Sequence, residues 1–313
     1  MRVSVLIPTY RRAADLARCL GGLEAQRRLP DEVIVVVRPS DEETRDALRA
    51  WESRPYLKTV FVAEGGQVNA LNAGLDALTG EIVMITDDDT APRENWVERV
   101  EERFRREPDL GGVGGRDVVH HGATIDEAPC KVVGKVLWFG RLVGNHHLIA
   151  AGRSYVDILK GANMSYRVEA IGATRFDTHL RGAGAQVGND MAFSLALRKK
   201  GWKLLYDPAA IVDHFPSQRF DSDQRGRLDG GAAENMAFNT WWTLQRHLQP
   251  GLRRWAALAW EDLVGTRSRP GHVRRLLSRW RGDSVATHIG EAAQRGRREA
   301  RQEYRRVRSS EFC

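Results

Sequence analysis

The sequence has few of the features that mark membrane-spanning or disulfide-bonded proteins. No apolar stretch approaches the roughly 18 residues that a transmembrane helix needs. The N-terminal apolar run, Val3–Ile7, is too short for a signal peptide and lacks a small-residue cleavage site. The three cysteines, Cys19, Cys130 and Cys313, are too far apart for a metal or redox motif. We therefore expect a protein of the reducing cytoplasm.

A uniform excess of basic charge is also absent. The net charge is +7, but residues 250–313 contain 15 arginines, no lysine and 7 acidic residues, a net charge of +8. The first 249 residues therefore carry a net charge of about −1. Because a nucleic-acid-binding domain concentrates basic residues on its binding face, we expect no nucleic-acid partner.

Hydrophobic periodicity divides the chain into strands and helices. Five short apolar runs predict strands, at Val3–Ile7, Val33–Val37, Thr59–Val62, Ile82–Ile85 and Val212–Pro216. Helices are predicted from three-to-four-residue spacing or flanking signals, at residues 12–23, 41–51, 68–78, 93–106 and 188–200. The strict alternation of strand and helix over the first 85 residues predicts an α/β fold with an open sheet.

Asp87, Asp88 and Asp89 follow the fourth predicted strand directly. Open α/β sheets bind ligands at the carboxyl ends of their strands, and adjacent carboxylates repel one another unless a cation or hydrogen-bond donors offset them. Such oxygen ligands suit Mg²⁺ or Mn²⁺. In an extended segment Asp87 and Asp89 point the same way, so we expect these two to share a ligand. A solvated acidic turn before the next helix is the alternative.

Six segments follow one another along the chain. They are Val3–Tyr10, Asn72–Gly74, Asp87–Asp89, Gly161–Arg167, Gly188–Asp190, and Trp202–Pro208 with His214. In this order they resemble the donor and acceptor motifs of glycosyltransferase family 2. Each motif alone is weak evidence, but their shared order over residues 1–220 makes the resemblance specific.

The resemblance implies a GT-A fold, a Rossmann-like α/β domain with an open mixed sheet flanked by helices. The catalytic domain would span residues 1–225, with a nucleotide-sugar donor half at 1–110 and an acceptor half at 111–225. Residues 226–313 would form a helical, Arg-rich C-terminal extension. The implied activity is the inverting transfer of a sugar from a nucleotide-sugar, most often a UDP- or GDP-sugar, to a hydroxyl of a glycan or lipid-linked acceptor.

The resemblance also implies roles for individual residues. Asp89, Asp87 and His214 would bind Mg²⁺ or Mn²⁺, with Asp87 near the ribose or nucleobase. Asp190 would be the general base that takes the proton from the acceptor hydroxyl. The other donor-binding residues would be Pro8, Thr9, Tyr10, Arg38, Asp41, Asn69, Asn72 and Asp88. The acceptor would contact Asn163, Met164, Asn189, His146 and His147.

These roles have a physical logic. The leaving group is a nucleoside diphosphate, so a metal ion stabilises the charge that develops on it. The base must face the opposite side of the sugar ring, which explains a carboxylate far along the chain from the metal site. Direct displacement with one base predicts inversion at the anomeric carbon.

The sequence departs from the family pattern at three places. Where the family has an acidic pair together with Gly-Ser, this chain has Arg38-Pro39-Ser40-Asp41. Either Asp41 or Arg38 would therefore contact the nucleotide. Leu71 stands where the family has arginine, and Gln67 or Asn69 would compensate. Asn189 in place of glutamate removes one carboxylate beside the base.

Each role also has a purely structural alternative. Asp190 could be an acidic residue at a helix N-terminus, His214 a hydrogen-bonded histidine at a strand end, and Tyr10 part of the core edge. His146 and His147 could lie in an exposed polar loop, and Trp241-Trp242 is more typical of a core than of a sugar platform.

Two other functions remain open from the sequence alone. A sugar-nucleotide pyrophosphorylase-like nucleotidyltransferase would need a Gly-rich phosphate loop after the first strand, and Pro8–Arg12 has no glycine. A catalytically silent GT-A module that binds carbohydrate would not need Asp87, Asp89, Asp190 and His214 together.

The C-terminal extension mixes tryptophan, leucine and arginine. Trp255, Leu258, Trp260, Leu276 and Trp280 lie among many arginines, a composition typical of an interfacial helix on anionic lipid. The alternative is an amphipathic helix that packs on the catalytic domain or a dimer partner. On the first interpretation we expect a peripheral protein at the inner face of the cell membrane. The end of the chain, from Arg295 to Arg308, is expected to be a solvated helix.

Overall fold

Strands and helices alternate through the first half of the chain, as its hydrophobic periodicity predicts. The computed structural model describes residues 1–218 and 228–310. Its strands are β1 (Val3–Pro8), β2 (Glu32–Val37), β3 (Leu57–Phe61), β4 (Ile82–Ile85), β5 (Thr90–Pro92), β6 (Leu110–His121), β7 (Thr124–Ile125), β8 (Pro129–Cys130), β9 (Lys135–Val136), β10 (Leu142–Val143), β11 (Ile149–Ala150), β12 (Ser154–Val156), β13 (Met164–Arg167) and β14 (Lys203–His214).

The helices cover the sheet and form the C-terminal extension. They are α1 (Ala13–Glu24), α2 (Glu42–Leu48), α3 (Gln67–Ala77), α4 (Trp96–Arg106), α5 (Val168–Ile171), α6 (Asn189–Lys199), α7 (Gly230–His247), α8 (Leu252–Leu263), α9 (His272–Trp280) and α10 (Ser284–Ser310). A 3₁₀ turn at Arg49–Trp51 follows α2.

The central sheet is mixed and open. Its described strands run in the order β12-β14-β6-β13-β4-β1-β2-β3, with β5 and β7 paired at its side. Strands β4, β1, β2 and β3 are parallel, whereas β13 is antiparallel to both β4 and β6. The GT-A architecture implied by the sequence motifs is therefore the architecture of the chain. This one sheet contains strands from residues 3–92 and from residues 110–214.

Two apolar layers enclose this sheet because its central strands are buried on both faces. On β1, Val5 and Ile7 join the layer that contains α1 and α4, whereas Leu6 faces the layer of α3 and α6. All six residues of β2 are buried. The continuous apolar run at Val33–Val37 reflects this two-sided burial.

The glycines at 111–115 belong to β6, which the sequence pattern did not predict as a strand. Glycine is needed because the backbone of β14 bulges toward it between Asp207 and Ile211. A Cβ on Gly115 would lie 1.7 Å from the carbonyl oxygen of Ala210 and 2.7 Å from Nδ2 of Asn163. The lack of side chains thus permits the close pairing that carries β14 to the site.

The C-terminal helices pack on the acceptor half and on each other. Trp242 of α7 is fully buried and its Nε1 donates to Asp177, at 2.7 Å. Helix α10 runs along α7, where Gly296 lies against the carbonyl of Glu234. Trp241-Trp242 thus belongs to the core.

The expectation of a solvated chain end is wrong for one face of α10. Arg297 and Ala300 are buried, and the Arg297 guanidinium donates to the carbonyls of Arg269 and Pro270. None of the helices in the described ranges is both long and apolar enough to cross a bilayer. The predicted boundary between residues 225 and 226 lies outside the described residues and stays a prediction, as does the division at 110.

Replacing Gly115 with alanine should destabilise the protein, because the new methyl group meets backbone rather than a flexible side chain. We expect the free energy of unfolding in a urea titration to fall by about 1–3 kcal/mol. Gly144→Ala is the matched control, since no atom lies within 4 Å of a Cβ there. Equal stability of both variants would refute the close approach of β6 and β14.

Candidate active site

The Asp87–Asp89 run lies in a tight turn after β4. The backbone N–H and Oγ1 of Thr90 both donate to the carbonyl of Asp87, at 3.3 and 2.9 Å. Thr86 Oγ1 donates to the carbonyl of Ala162, at 2.8 Å, and ties the turn to the segment before β13. The turn leaves Asp87 half-buried and buries the other two carboxylates.

Asp87, Asp89 and His214 converge at this turn. One ligand atom of each lies within 4.8 Å of the other two. His214 ends β14, and its Nε2 lies 3.3 Å from Oδ1 of Asp89. Its Nδ1 lies 3.5 Å from Oδ2 of Asp117, which is fully buried. The structure therefore brings together the three residues that the sequence motifs nominate as metal ligands.

Two carboxylates control the charge of His214. Burial acts to lower the pKa of its imidazole, but the hydrogen bonds to Asp117 and Asp89 outweigh burial and raise the pKa to about 9. Burial acts to raise the pKa of Asp117, and His214 and Lys160 nevertheless hold it below its ordinary value. The positively charged imidazolium of His214 thus offsets part of the negative charge of the carboxylates. A metal ion that bound there would replace the imidazole proton and neutralise the same carboxylates.

The donor set fits a divalent ion of the Mg²⁺ or Mn²⁺ type. Carboxylates are the ligands these ions prefer, and they commonly retain waters and substrate phosphates in the remaining positions. A ligating histidine usually has a carboxylate partner at its other ring nitrogen. Asp117 is in that position relative to His214.

Asp88 faces an arginine and does not point to the place where Asp87 and Asp89 converge with His214. Nη1 of Arg12 lies 2.8 Å from Oδ1 of Asp88 and 3.7 Å from Oδ2 of Asp89.

The segment after β14 covers Asp89. The backbone N–H of Phe215 donates to the Asp89 carbonyl at 2.8 Å, and the backbone N–H of Ser217 donates to Oδ2 of Asp89 at 3.0 Å. Arginine and backbone donors therefore share the neutralisation of the run with His214.

A cleft of about 340 Å³ opens beside the run. Six of the predicted donor-binding residues line it, namely Pro8, Thr9, Tyr10, Arg38, Asp87 and Asp88. The rest of its lining consists of Arg12, Val62, Gly66, Gln67, Ala70 and residues 183–185. The Arg38 guanidinium lies 4.0 Å from the Tyr10 ring centre, a cation–π contact that holds both side chains in the wall.

Three other predicted donor residues lie outside the lining of the cleft. Asp41 is buried as the N-cap of α2, and its oxygens accept from the backbone N–H groups of Arg11 and Thr44, at 2.5 and 3.3 Å. Asn69 donates to the carbonyl of Gly65, at 2.9 Å. Of the two candidates left open by the sequence, the geometry thus favours Arg38 over Asp41.

Asn72 has a structural task as well. Its Nδ2 donates to the carbonyl of Phe176 and its Oδ1 accepts from the Phe176 N–H, at 2.9 and 2.8 Å. Asn72 therefore fastens α3 to the segment before α6. Gln67, by contrast, lines the cleft and donates from Nε2 to Asp87 Oδ1, at 3.3 Å.

Asp190 lies in the first turn of α6. Oδ1 accepts from the Met191 N–H at 2.8 Å, and Oδ2 accepts from the Gly161 N–H at 3.2 Å. Removal of water from around the carboxyl raises its pKa, although these donors and the nearby Lys160 act in the opposite direction. Asp190 therefore lies at a helix N-terminus, as the structural alternative expected, and its role as a base stays a prediction.

The segment from Lys160 to Ala162 connects Asp190 with neighbours of Asp87, Asp89 and His214, which we call the metal trio. Lys160 forms an ion pair with Asp117, the partner of His214, while the next residue, Gly161, donates to Asp190. The carbonyl of Ala162 accepts from Thr86, which immediately precedes the Asp run. Three consecutive residues thereby link Asp190 to the surroundings of Asp87, Asp89 and His214.

Most of the predicted acceptor residues lie inside the protein. Asn163 and Met164 are fully buried, and the Asn163 amide bonds to Trp96 Nε1 and the carbonyl of Ala210, each at 2.9 Å. His146 is buried against the carbonyl of Ile158, at 3.1 Å, and burial lowers its pKa to about 4. These buried side chains stabilise the interior next to the site. They are not accessible to an acceptor.

The other two acceptor residues differ in accessibility. Asn189 is buried, and its Nδ2 donates to the carbonyl of Ala185 and to Gln67 Oε1, at 2.9 and 3.2 Å. Asn189 thus joins α6 to the cleft wall. His147 is half-buried and is the accessible member of its histidine pair.

Sequence reasoning missed three charged or polar contributors to the site. Asp117 and Lys160 form the ion pair behind His214, and neither belongs to a motif with a readable spacing. Arg12 enters the cleft from just after the Val3–Tyr10 motif. The one signal for Arg12 in the sequence is its position two residues after the Val3–Tyr10 motif, which is expected to line the nucleotide pocket.

The open mixed sheet, with a candidate metal-ligand cluster and a cleft at its strand ends, is the architecture of a GT-A domain. The family is explicit in the sequence: the chain belongs to glycosyltransferase family 2, since the model described as glycosyltransferase like family 2 matches residues 1–228.

Known proteins agree with this assignment. The chain is 22% identical over 256 residues to the dolichyl N-acetyl-α-D-glucosaminyl phosphate 3-β-D-2,3-diacetamido-2,3-dideoxy-β-D-glucuronosyltransferase of Methanococcus voltae, covering 77% of this chain and 76% of that enzyme. Two other curated relatives are longer than the matched region. This chain covers 41% of the length of one and 48% of the length of the other.

Two solved structures share the fold. The mannosyltransferase PcManGT from Pyrobaculum calidifontis, in complex with GDP-Man and Mn²⁺, has a TM-score of 0.56 at 19% identity, covering 95% of this chain and 86% of that one. TarS from S. aureus, in complex with UDP-GlcNAc, has a TM-score of 0.63 at 14% identity, covering 98% of this chain and 92% of that one.

Replacing Asp89 with asparagine should weaken metal binding, because the trio loses one of its two carboxylates. We expect the affinity for Mn²⁺ in the presence of UDP or GDP to fall at least about tenfold in a calorimetric titration. Asp213→Asn is the matched control, since Asp213 precedes His214 but pairs with Arg93 and His120. Unchanged affinity in Asp89→Asn would remove that residue from the metal site.

Proposed function

We propose that this protein transfers a sugar from a nucleotide-sugar to a hydroxyl of a glycan or lipid-linked acceptor, with inversion at the anomeric carbon. The observation that carries the proposal is the convergence of Asp87, Asp89 and His214 beside the cleft, with Asp190 linked to their neighbours Asp117 and Thr86 through residues 160–162. Metal ligands and a base carboxylate are the two parts that this displacement requires.

The donor would lie in the cleft with its diphosphate at the Asp run. Asp87, Asp89 and His214 would hold Mg²⁺ or Mn²⁺, which when bound neutralises charge on the diphosphate. Arg12 lines the same end of the cleft and offers N–H donors suited to phosphate oxygens. Tyr10 and Arg38 would bind the nucleoside. The titles of the two structural neighbours name GDP-Man and UDP-GlcNAc, which supports a GDP- or UDP-sugar.

Asp190 would act as the general base. An acceptor hydroxyl hydrogen-bonded to its carboxylate would lose its proton to Asp190 as the oxygen bonds to the anomeric carbon and the bond to the diphosphate oxygen breaks. The raised pKa favours this role, because a base whose pKa lies closer to the working pH holds the proton more effectively. Backbone donation from Gly161 and Met191 orients the carboxylate.

The alternatives from the sequence gain no support from the geometry. The loop after β1 contains no glycine, and Arg11 adopts the left-handed conformation there, at φ 56°, with its N–H bonded to Asp41. A nucleotidyltransferase phosphate loop is therefore not formed. The convergence of Asp87, Asp89 and His214 beside the cleft, together with the link from Asp190 to their neighbours, favours catalysis over a silent binding module. The cytoplasmic location stays a prediction.

Replacing Asp190 with asparagine should stop catalysis and spare donor binding. Asparagine retains the shape but cannot accept the acceptor proton, so we expect the transfer rate to fall by roughly 10²–10⁴-fold. Metal-dependent binding of the nucleoside diphosphate should stay within about twofold of wild type. Wild-type-like transfer would exclude Asp190 as the base, and loss of both properties would indicate a structural role.

The rate should also depend on pH in a defined direction. A base must be ionised to work, and a raised pKa means that ionisation is lost at a higher pH than for an ordinary aspartate. At saturating Mn²⁺, the acid limb of kcat/KM should therefore lie above pH 3.8, the ordinary value, and be absent from the residual activity of Asp190→Asn. A limb that persists unchanged in that variant would belong to another group.

A further inference from the structure

Helix α9 has its apolar side turned away from the protein. Val273, Leu276, Leu277 and Trp280 recur at the spacing of one helical face, and all four are exposed, Trp280 at 84%. No residue of α9 is buried. The opposite side packs on α10 through the stem of Arg275. An amphipathic helix normally buries its apolar face, so α9 lacks its expected partner within the described residues.

Helix α8 presents a second apolar stripe. Leu252 and Trp255 are exposed at 79% and 69%, and Leu263 continues the stripe two turns later. Ala257, on the other side of the helix, is buried against the acceptor half. The two helices adjoin, since Gly271 at the start of α9 lies against the backbone of Leu263.

Trp138 extends this surface from the catalytic domain. Its side chain is 72% exposed. The next residue, Phe139, packs edge-on against Trp260 of α8, with ring centres 4.7 Å apart. Together with Leu252, Trp255, Leu276, Leu277 and Trp280, Trp138 forms what we call the tryptophan face. An apolar surface of this kind marks a docking site rather than ordinary solvent-facing surface.

The charged residues of α9 and of the segment before it are all basic. Residues 263–282 contain six arginines and no acidic residue. Arg274, Arg279 and Arg281 are exposed on or directly after α9. Tryptophan and leucine flanked by arginine are the composition that settles at the boundary between lipid headgroups and acyl chains of an anionic membrane.

We propose that the tryptophan face docks on the surface of a bilayer that contains anionic lipid, with α8 and α9 lying in the interface. A second copy of the chain fits this surface less well, because a symmetric contact between like faces would bring together two sets of six arginines, with only Asp262 and Asp283 beside each stretch to offset them. Anionic headgroups supply the missing negative charge.

Docking would turn the acceptor half toward the lipid. Ala257 of α8 belongs to the same apolar cluster as Val136, Ile158 and Met191, and Met191 adjoins Asp190. A lipid-linked acceptor would then reach the base from the membrane. This consequence, unlike the docking itself, rests on the proposed function. The Methanococcus voltae relative, named for a dolichyl phosphate substrate, is consistent with it.

Vesicle co-sedimentation of the full chain tests the docking without any need for catalysis. Wild type should bind vesicles of phosphatidylcholine with 30% phosphatidylglycerol and bind pure phosphatidylcholine far more weakly. Trp255→Ser/Trp280→Ser should lower the partition coefficient at least about tenfold, and Arg274→Gln/Arg279→Gln should lower it about fivefold per arginine. Substitution is preferable to deletion because α10 packs along α7.

Leu29→Ser/Phe61→Ser is the matched control, since both side chains are exposed outside the C-terminal helices. It should bind vesicles like wild type, and all variants should retain the wild-type melting temperature. If both the tryptophan variant and the arginine variant bound anionic vesicles as strongly as wild type, the assignment of the tryptophan face would be overturned. A dimer in light scattering that the tryptophan substitutions dissociate, with no vesicle binding by wild type, would overturn it as well.

Discussion

The site depends on one electrostatic constraint, the burial of several carboxylates at the ends of neighbouring strands. Asp88, Asp89 and Asp117 have little or no solvent exposure, and buried anions are tolerated only when cations or hydrogen-bond donors face them. Arg12, Lys160 and His214 supply positive charge from three separate parts of the chain. The carboxylates that these cations stabilise are the groups that would bind a divalent ion, and Arg12 would face the diphosphate.

This constraint explains why distant segments have to meet. His214 reaches Asp89 because β14 pairs with β6 on one side and with β5 on the other, and the pairing with β6 is close because Gly115 has no side chain. Lys160 reaches Asp117 from the loop that also bonds to Asp190. The Lys160–Asn163 segment contacts Asp190, Asp117, Thr86 and the core at once, and so links Asp190 to neighbours of the metal trio.

Local pattern was sufficient for the parallel strands and for the Asp run, because apolar periodicity and position after β4 are properties of short segments. It failed for β6, whose glycines are selected by close packing rather than by strand propensity. It also failed for Asn163 and His146, because a polar residue that is hydrogen-bonded in the interior looks the same in sequence as one that touches a ligand. In the C-terminal helices, composition identified amphipathic character, but only the packing of α8–α10 showed which apolar faces are left exposed.

The central claim is that the Asp87–Asp89 cleft binds a nucleotide-sugar together with a divalent ion. Its most direct test is a thermal-shift panel of nucleoside diphosphates and nucleotide-sugars, each measured with Mn²⁺ and with a chelator. We predict that a UDP- or GDP-linked ligand raises the melting temperature in Mn²⁺, and that the chelator abolishes the shift. A panel in which no nucleotide stabilises the protein, or in which stabilisation is the same without metal, would contradict the account.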